Sequence, residues 1–272
     1  VIYAGQLYDF LRIAMRRTGV HRRNAGKKGD HLKYPAISAR AQRFMLWWGY
    51  IMMVIFGLTL AFLIKLVPLN PATDTAEMTA AFYRENSLSI RIGAVICSWC
   101  AAFALPIYVV LASQSARLEK GIPIWAILQF GGGMMMSIFL VLPPLFWGTA
   151  AFTVERAPEL TLLMHELANL TLTTTDQYFI FNMVPIAYIA LSRRNHPLNP
   201  FPRWYGYFVI WGALMFEAGA FAFLPRTGPF AWNGLLVFWF PFSIFGVWMT
   251  MTMFVMLAAI KKQETMPSGT YE

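Results

Sequence analysis

The stretch IPIWAILQFGGGMMMSIFLVLPPLF, residues 122–146, runs for 25 residues without a charged side chain. At about 1.5 Å per residue, a helix of this length crosses a hydrocarbon core of roughly 30 Å. Similar uncharged stretches recur along the chain, in which 58% of residues are hydrophobic and 13% are charged. About a quarter of the residues are charged in soluble domains, and no stretch alternates like an outer-membrane barrel strand. The sequence therefore predicts an all-α polytopic membrane protein.

Six transmembrane helices are predicted from these stretches, of which the fourth is short and the sixth is long for a single crossing. They divide the chain into a basic tail of residues 1–43, a six-helix domain over residues 44–262 and a second tail, residues 263–272. The predicted spans are residues 44–68, 89–113, 122–146, 177–192, 204–224 and 230–260.

The positive charges are distributed unevenly between the two sides that these spans define. Seventeen of the 22 lysines and arginines precede the first span, follow the last, or lie in the second and fourth connections. Cytoplasmic segments are enriched in lysine and arginine, so both termini are predicted to be cytoplasmic, in a bacterial inner membrane. This asymmetry and anionic lipid on the same side explain the net charge of +9, and no nucleic-acid partner is predicted.

Two amphipathic helices are predicted outside the spans. In the first tail, Tyr3, Leu7 and Phe10 share one helical face ahead of a polybasic run, which is typical of an interfacial anchor. Such a tail stays ordered only when lipid, the protein's own cytoplasmic face or a partner subunit holds it. The second helix opens at Pro158 in the connection after the third span and is expected to lie flat on the outer membrane surface. Its leucines at helical spacing are Leu160, Leu163, Leu167 and Leu170.

Glu217 is the one charged residue in the fifth predicted span. An unpaired charge in the membrane costs several kcal/mol, and membrane carboxylates often mark functional sites. Three interpretations are open: a structural ion pair with Arg91, a polar pocket open to the outer face, or a carboxylic acid that faces lipid or another subunit. The pocket would bind its ligand through Glu217, Arg91, Asp176, Gln177, Asn182 and Asn233, with Lys65 as a further cation nearby.

Two further groups have the residue types of chemical sites. Cys97 and Cys100 have the C-x-x-C spacing of thiol redox sites, but a quinone-linked thiol oxidoreductase needs a second cysteine pair, and this chain has two cysteines. Packing of small residues between helices is the alternative. His165, Glu166 and Asp176 could bind a metal at the outer surface, although their spacing matches no metal motif; otherwise His165 belongs to a solvated loop. No histidine lies within a predicted span, which excludes an intramembrane bis-histidine haem.

Three consecutive glycines, Gly131 to Gly133, lie near the middle of the third predicted span. Each weakens a helix by roughly 1 kcal/mol relative to alanine. Close approach of another helix, or of a flat ligand, is the expected compensation.

No catalytic constellation is evident, and the sequence identifies no cofactor. The leading hypothesis is therefore a non-catalytic subunit of a membrane assembly or a homo-oligomer, whose partners are membrane lipid and other membrane subunits. The first alternative is a transporter or binding protein for a small lipophilic or ionic ligand, with the pocket around Glu217 and Arg91. The second is a membrane-embedded thiol-redox or metal-dependent enzyme.

Overall fold

The computed structural model describes residues 38–265, and every regular element in this range is a helix. The amphipathic helix predicted in the first tail lies outside the described residues. Eight α-helices are described, with the bounds α1 Ala39–Thr59, α2 Ala76–Ala102, α3 Leu105–Ala116, α4 Ile124–Phe152, α5 Pro158–Thr174, α6 Ile180–Ser192, α7 Arg203–Phe216 and α8 Phe240–Thr265. Four short segments depart from α geometry: π turns at Leu60–Ile64 and Leu235–Trp239, and 3-10 turns at Asp176–Phe179 and Glu217–Phe223.

Five helical segments are long and apolar enough to cross a membrane. One of them combines α2 and α3, where Pro106 occupies the first turn of α3 and needs no N–H partner there. The prediction of an all-α protein with membrane-embedded helices is therefore confirmed. The five segments are Ala39–Ile64, Ala76–Ala116, Ile124–Phe152, Arg203–Phe223 and Leu235–Thr265.

Helix α4 lies at the centre of the bundle and packs against α2, α3, α5 and α6. Its glycines explain how closely two neighbours approach. A Cβ added to Gly132 would lie 2.6 Å from the backbone nitrogen of Asn182 in α6, and Gly133 lies against the ring of Tyr108 in α3. Of the two explanations that the sequence left open for the glycines, the structure shows close helix packing at Gly132 and Gly133.

The first and last described helices meet at one end of the bundle. Gln114 at the end of α3 donates from Nε2 to Oε1 of Gln42 in α1 (2.5 Å) and to Oε1 of Gln263 in α8 (3.0 Å). Arg43 forms an ion pair with Glu264 across the same two helices. We call this end, defined by Arg43, Arg117, Arg203 and Lys262, the basic end. Helix α1 begins there and α8 finishes there.

The segment from α5 to α6 returns the chain along α4. Contacts with α4 run in reverse order: Trp147 with Asn169, Phe139 with Tyr178, and Gln129 with Asn182. Helix α5 packs against α2 and α4, and its position flat on the outer membrane surface stays a prediction.

The orientation of α5 in the bundle is the reverse of that in a helix whose leucines pack on protein. Its polar residues face the protein: Thr161, His165 and Asn169 are all buried. Its leucines face outward, with Leu160 and Leu163 about half exposed. A leucine stripe is read as a face that packs on protein or lies on a membrane surface, but among lipid tails the apolar face can point outward while polar groups pair inside.

Candidate functional site

A cavity of about 420 Å³ lies between α1, α4 and α8. Helix α1 lines one wall, Met136 and Leu140 of α4 line the back, and α8 with its preceding π turn lines the other side. Six phenylalanines surround it: Phe56, Phe179, Phe216, Phe238, Phe242 and Phe245. Its volume falls in the range of about 300–1,000 Å³ in which proteins hold small molecules.

The mouth of the cavity faces sideways. Val54 and Leu58 of α1 and Gly246 of α8 line the cavity and are exposed on the lateral surface of the bundle. Both helices belong to the segments that are apolar enough to cross a membrane. A molecule dissolved among lipid tails would therefore reach the cavity between α1 and α8.

Asp176 is the polar group that the cavity leaves unsatisfied. Its side chain is buried, with 8% of the residue exposed, and its Oδ1 has no hydrogen-bond partner among the described residues. The neighbouring hydroxyls are already engaged: Thr173 donates to the Asn169 carbonyl (2.9 Å) and Thr175 to the Thr171 carbonyl (2.6 Å). These bonds satisfy carbonyl groups at the end of α5, so neither hydroxyl donates to the carboxyl group, whose other interactions are with the backbone N–H groups of Asp176 and Gln177.

The polar groups at the other end of the cavity are paired with each other. Thr250 donates to the Gly246 carbonyl at 2.8 Å, so the proton between Thr250 and Tyr50 (3.1 Å) must come from Tyr50. Asp176 Oδ1 differs from these hydroxyls because it is buried and has no hydrogen-bond partner among the described residues.

The four departures from α geometry gather around this cavity. Leu60 in the first π turn, Phe179 in the first 3-10 turn and Val237 in the second π turn all line it. The remaining 3-10 turn packs against Asp176 through Gly219, where an added Cβ would collide with Asp176 Oδ1 and the Thr173 carbonyl oxygen. Such irregular turns are frequent at functional sites.

One of the three interpretations open for Glu217 is a structural ion pair with Arg91. No ion pair joins them in the described part of the chain, and the Arg91 guanidinium lies 5.1 Å from the centroid of the Phe152 ring. Glu217 is half-buried at the start of its 3-10 turn, and the residue that it acts on electrostatically is Asp176. The structure therefore brings together two carboxyl groups that the sequence placed in one pocket, without the expected cation.

The other predicted pocket residues are dispersed. Asn182 is buried and donates from Nδ2 to the Gln129 carbonyl (2.8 Å), towards the basic end. Lys65 donates to Asn86 Oδ1 (2.8 Å). Gln177 follows Asp176 in its turn and is half-buried, and Asn233 lies in the loop before the second π turn.

The residues predicted to bind a metal do not come together, and the two cysteines are buried. Across residues 38–265, no group of three or more His, Cys, Asp and Glu side chains could hold a metal ion. Glu166 lies 4.0 Å from Arg226, and His165 and Asp176 have separate neighbours. Cys97 and Cys100 are free and buried within α2, and the Cys97 thiol donates to the Phe56 carbonyl at 3.7 Å.

His165 is buried, which corrects its assignment to a solvated loop. The indole of Trp147 can only donate, so Asn169 Oδ1 accepts from it (3.0 Å) and Asn169 Nδ2 donates to His165 Nε2 (2.8 Å). The imidazole therefore has its proton on Nδ1, directed at the Tyr83 hydroxyl (2.9 Å). This chain of partners joins α2, α4 and α5, and its residue spacing gave no signal in the sequence.

The walls contributed by α1 and α8 were also missed. Gly57 and Gly246 in otherwise apolar helices are the signal that was available, since a Cβ at either position would meet no neighbouring atom. The chain matches no known family model, and comparisons with curated proteins and with solved structures find no match.

Proposed function

We propose that this protein binds a small lipophilic molecule in the α1–α8 cavity, through a head group that donates a hydrogen bond to Asp176. The supporting observation is the partnerless Asp176 Oδ1 at the edge of an aromatic cavity. Burying a polar atom without a partner costs about 1–3 kcal/mol, so such atoms are rare in folded proteins. A ligand hydroxyl or amine would supply the missing partner.

The body of the ligand follows from the walls. Phenylalanine, methionine and leucine side chains line most of the cavity and offer dispersion contacts to an alkyl chain or a flat ring. The sideways mouth favours entry from the membrane. The proposed function is therefore the binding or transport of a lipophilic small molecule, with Asp176 in the role first expected of Glu217.

The proposal includes six membrane crossings, of which α5, the Asp176 turn and α6 together form the fourth. Two observations support it: the outward leucines of α5, and the meeting of α1 and α8 at the basic end. The basic end is proposed to be cytoplasmic because it collects nine of the 14 lysines and arginines of residues 38–265. Discontinuous helices with a polar group at the break are used by transporters to bind their ligands.

Assembly with other subunits remains a separate prediction. It rests on residues 1–37, which lie outside the described part of the chain. It is compatible with ligand binding, since the cavity is built from the bundle alone.

Photoaffinity labelling tests the cavity directly. The protein in lipid vesicles would be labelled with a diazirine analogue of dodecan-1-ol, and the modified peptides identified by mass spectrometry. We expect labels within residues 50–60 and 237–250. Unlabelled dodecan-1-ol should compete about fivefold better than dodecane, which is the contribution of one hydrogen bond. Asp176→Leu should make the two competitors equal.

Two glycine variants separate cavity binding from partition into lipid. Gly57→Leu would place a side chain in the space beside the cavity wall and should strongly reduce labelling. Gly131→Leu, in open space on α4 away from the cavity, is the matched control and should leave labelling unchanged. The proposal is wrong if dodecane competes as well as dodecan-1-ol, or if Gly57→Leu labels like the wild-type protein.

A further inference from the structure

A second cleft, of about 500 Å³, opens at the basic end between the loop of residues 193–202 and the last turns of α8. The loop is held in place by Asn199, which donates from Nδ2 to the carbonyls of Ile189 (3.2 Å) and Arg193 (3.1 Å). Asn199 Oδ1 in turn accepts from the Phe201 N–H (2.9 Å). With Pro200 and Pro202 fixing the backbone further, this wall of the cleft is formed before any ligand arrives.

The charged residues that line the cleft are all cations: Arg194, Arg203 and Lys262. Within residues 38–265, no aspartate or glutamate lines the cleft, and Glu264 nearby is paired with Arg43. Arg203 is held over Tyr207, whose hydroxyl accepts from Nη2 at 2.9 Å. No side chain caps α7, so the positive end of its dipole adds to the same field.

His196 adds a neutral donor to this cleft. Its Nδ1 accepts the Leu198 N–H (3.2 Å), so the neutral imidazole has its proton on Nε2. Partial burial, together with the charges of Arg193 and Lys120, lowers the pKa of His196 from its ordinary value. The cleft is therefore rich in donors and positive charge.

An apolar strip continues from the charged cleft along the bundle surface. Trp204, Met251 and Phe254 line it, and Phe254 is 64% exposed. Trp204 lies in the segment Arg203–Phe223, and Met251 and Phe254 lie in Leu235–Thr265. Both segments are apolar enough to cross a membrane, so the strip runs from the end of the bundle into its apolar belt.

We infer that this cleft binds an anionic phospholipid, with its phosphate between Arg194, Arg203 and Lys262 and an acyl chain along Met251 and Phe254. Arginine and lysine bind phosphate oxygens with charge-assisted hydrogen bonds. A free phosphate would use the cations but not the apolar strip. A zwitterionic choline lipid would bring a second cation towards a cleft that has no lining carboxylate to receive it. The site is independent of the Asp176 cavity.

Native mass spectrometry of the full chain tests this site. The protein in detergent would be mixed with phosphatidylglycerol or with phosphatidylcholine, and the bound-lipid peaks compared. We expect selective retention of phosphatidylglycerol. The double variant Arg194→Gln, Lys262→Gln should lose about tenfold or more of that affinity, since each interfacial cation contributes about 1 kcal/mol.

Lys261→Gln is the matched control, because Lys261 is exposed beside Lys262 but does not line the cleft. Lys261→Gln should retain the lipid. Equal loss of phosphatidylglycerol binding in Lys261→Gln and Lys262→Gln would show a non-specific attraction to positive charge and would overturn the site.

Phe254→Ala should weaken phosphatidylglycerol binding. If Phe254→Ala has no effect and millimolar inorganic phosphate displaces the lipid, the cleft is a site for free anions and the inference is wrong. Equal retention of phosphatidylcholine would also overturn it.

Discussion

Tyr83 and Tyr108 are both almost completely buried in this bundle, and they differ in whether the hydroxyl has a partner. Tyr83 is 1% exposed, and its hydroxyl lies 2.9 Å from His165 Nδ1. Tyr108 is fully buried, and its hydroxyl has no hydrogen-bond partner among residues 38–265. The tyrosine hydroxyl is thus part of a hydrogen-bond network at Tyr83, whereas at Tyr108 it is buried without a partner among the described residues.

Removing each hydroxyl should therefore have opposite effects. Tyr83→Phe leaves the Nδ1–H of His165 buried without an acceptor and is expected to lower the free energy of unfolding by about 1–3 kcal/mol. Tyr108→Phe removes a polar atom that has no partner and should be neutral or stabilising. Thermal unfolding of both variants in one detergent measures the difference. Equal destabilisation would show that the assigned proton positions in the Tyr83–His165–Asn169–Trp147 chain are wrong.

At the scale of whole helices, α4 controls how closely its neighbours pack. Gly131 and Gly132 are adjacent in α4, but a Cβ at Gly131 meets nothing within 4 Å, whereas one at Gly132 meets the backbone of α6 at 2.6 Å. Backbone atoms of a packed helix cannot move aside as a flexible side chain can. Gly132 therefore sets the distance between α4 and α6.

Alanine at these two positions separates helix propensity from helix packing. Gly132→Ala should push α6 from α4 and destabilise the protein by about 1–3 kcal/mol, the usual range for overpacking. Gly131→Ala should stabilise it by up to about 1 kcal/mol, because alanine favours the helix and clashes with nothing. Thermal melts of the two variants provide the comparison. Matching melting temperatures would contradict close packing at Gly132.

Hydropathy was sufficient to predict helices but not their ends or their faces. The third predicted span, residues 122–146, is α4, which extends to Phe152. The second was predicted to begin at residue 89, but α2 begins at Ala76, because Glu77 and Arg84 continue the helix past its apolar part. Hydropathy assigns charged residues at the end of a helix to a loop even when the helix continues through them.

The sequence grouped Asp176 with Glu217 but could not identify the cavity. Its walls come from α1, α4 and α8, which are far apart in the chain, and uniformly apolar helices do not reveal which face turns inward. Arg91 was expected near Glu217 because both positions are at similar distances from the predicted outer ends of their spans, yet Arg91 contacts Phe152. The depth of a residue in the membrane, estimated from the rise per residue of a helix, does not show which way its side chain points around the helix axis.

At the scale of the whole molecule, the path of the chain follows from which ends meet. Helix α1 starts at the basic end, and α8 finishes there through the Gln42–Gln114–Gln263 cluster. A chain that starts and finishes at one end must traverse the bundle an even number of times. The five long apolar segments of residues 38–265 are an odd number, and the pair α5–α6 is the proposed sixth traverse.

Cysteine labelling tests this path in a membrane. The native Cys97 and Cys100 are buried, so labelling of them in the folded protein should be low. Glu159 at the start of α5 and Asn195 after α6 are both exposed. Lys120 precedes α4, so it lies on the same side of the membrane as Asn195 if α4 crosses once and the α5–α6 pair crosses once. With the basic end cytoplasmic, an impermeant maleimide added to intact cells should label Glu159→Cys and should label Lys120→Cys and Asn195→Cys only after lysis. Labelling of Glu159→Cys and Asn195→Cys from the same side would mean that α5 and α6 do not cross. In that case the leucines of α5 would rest on the membrane surface after all, and Asp176 would lie outside the hydrocarbon core, where water could satisfy its carboxyl group.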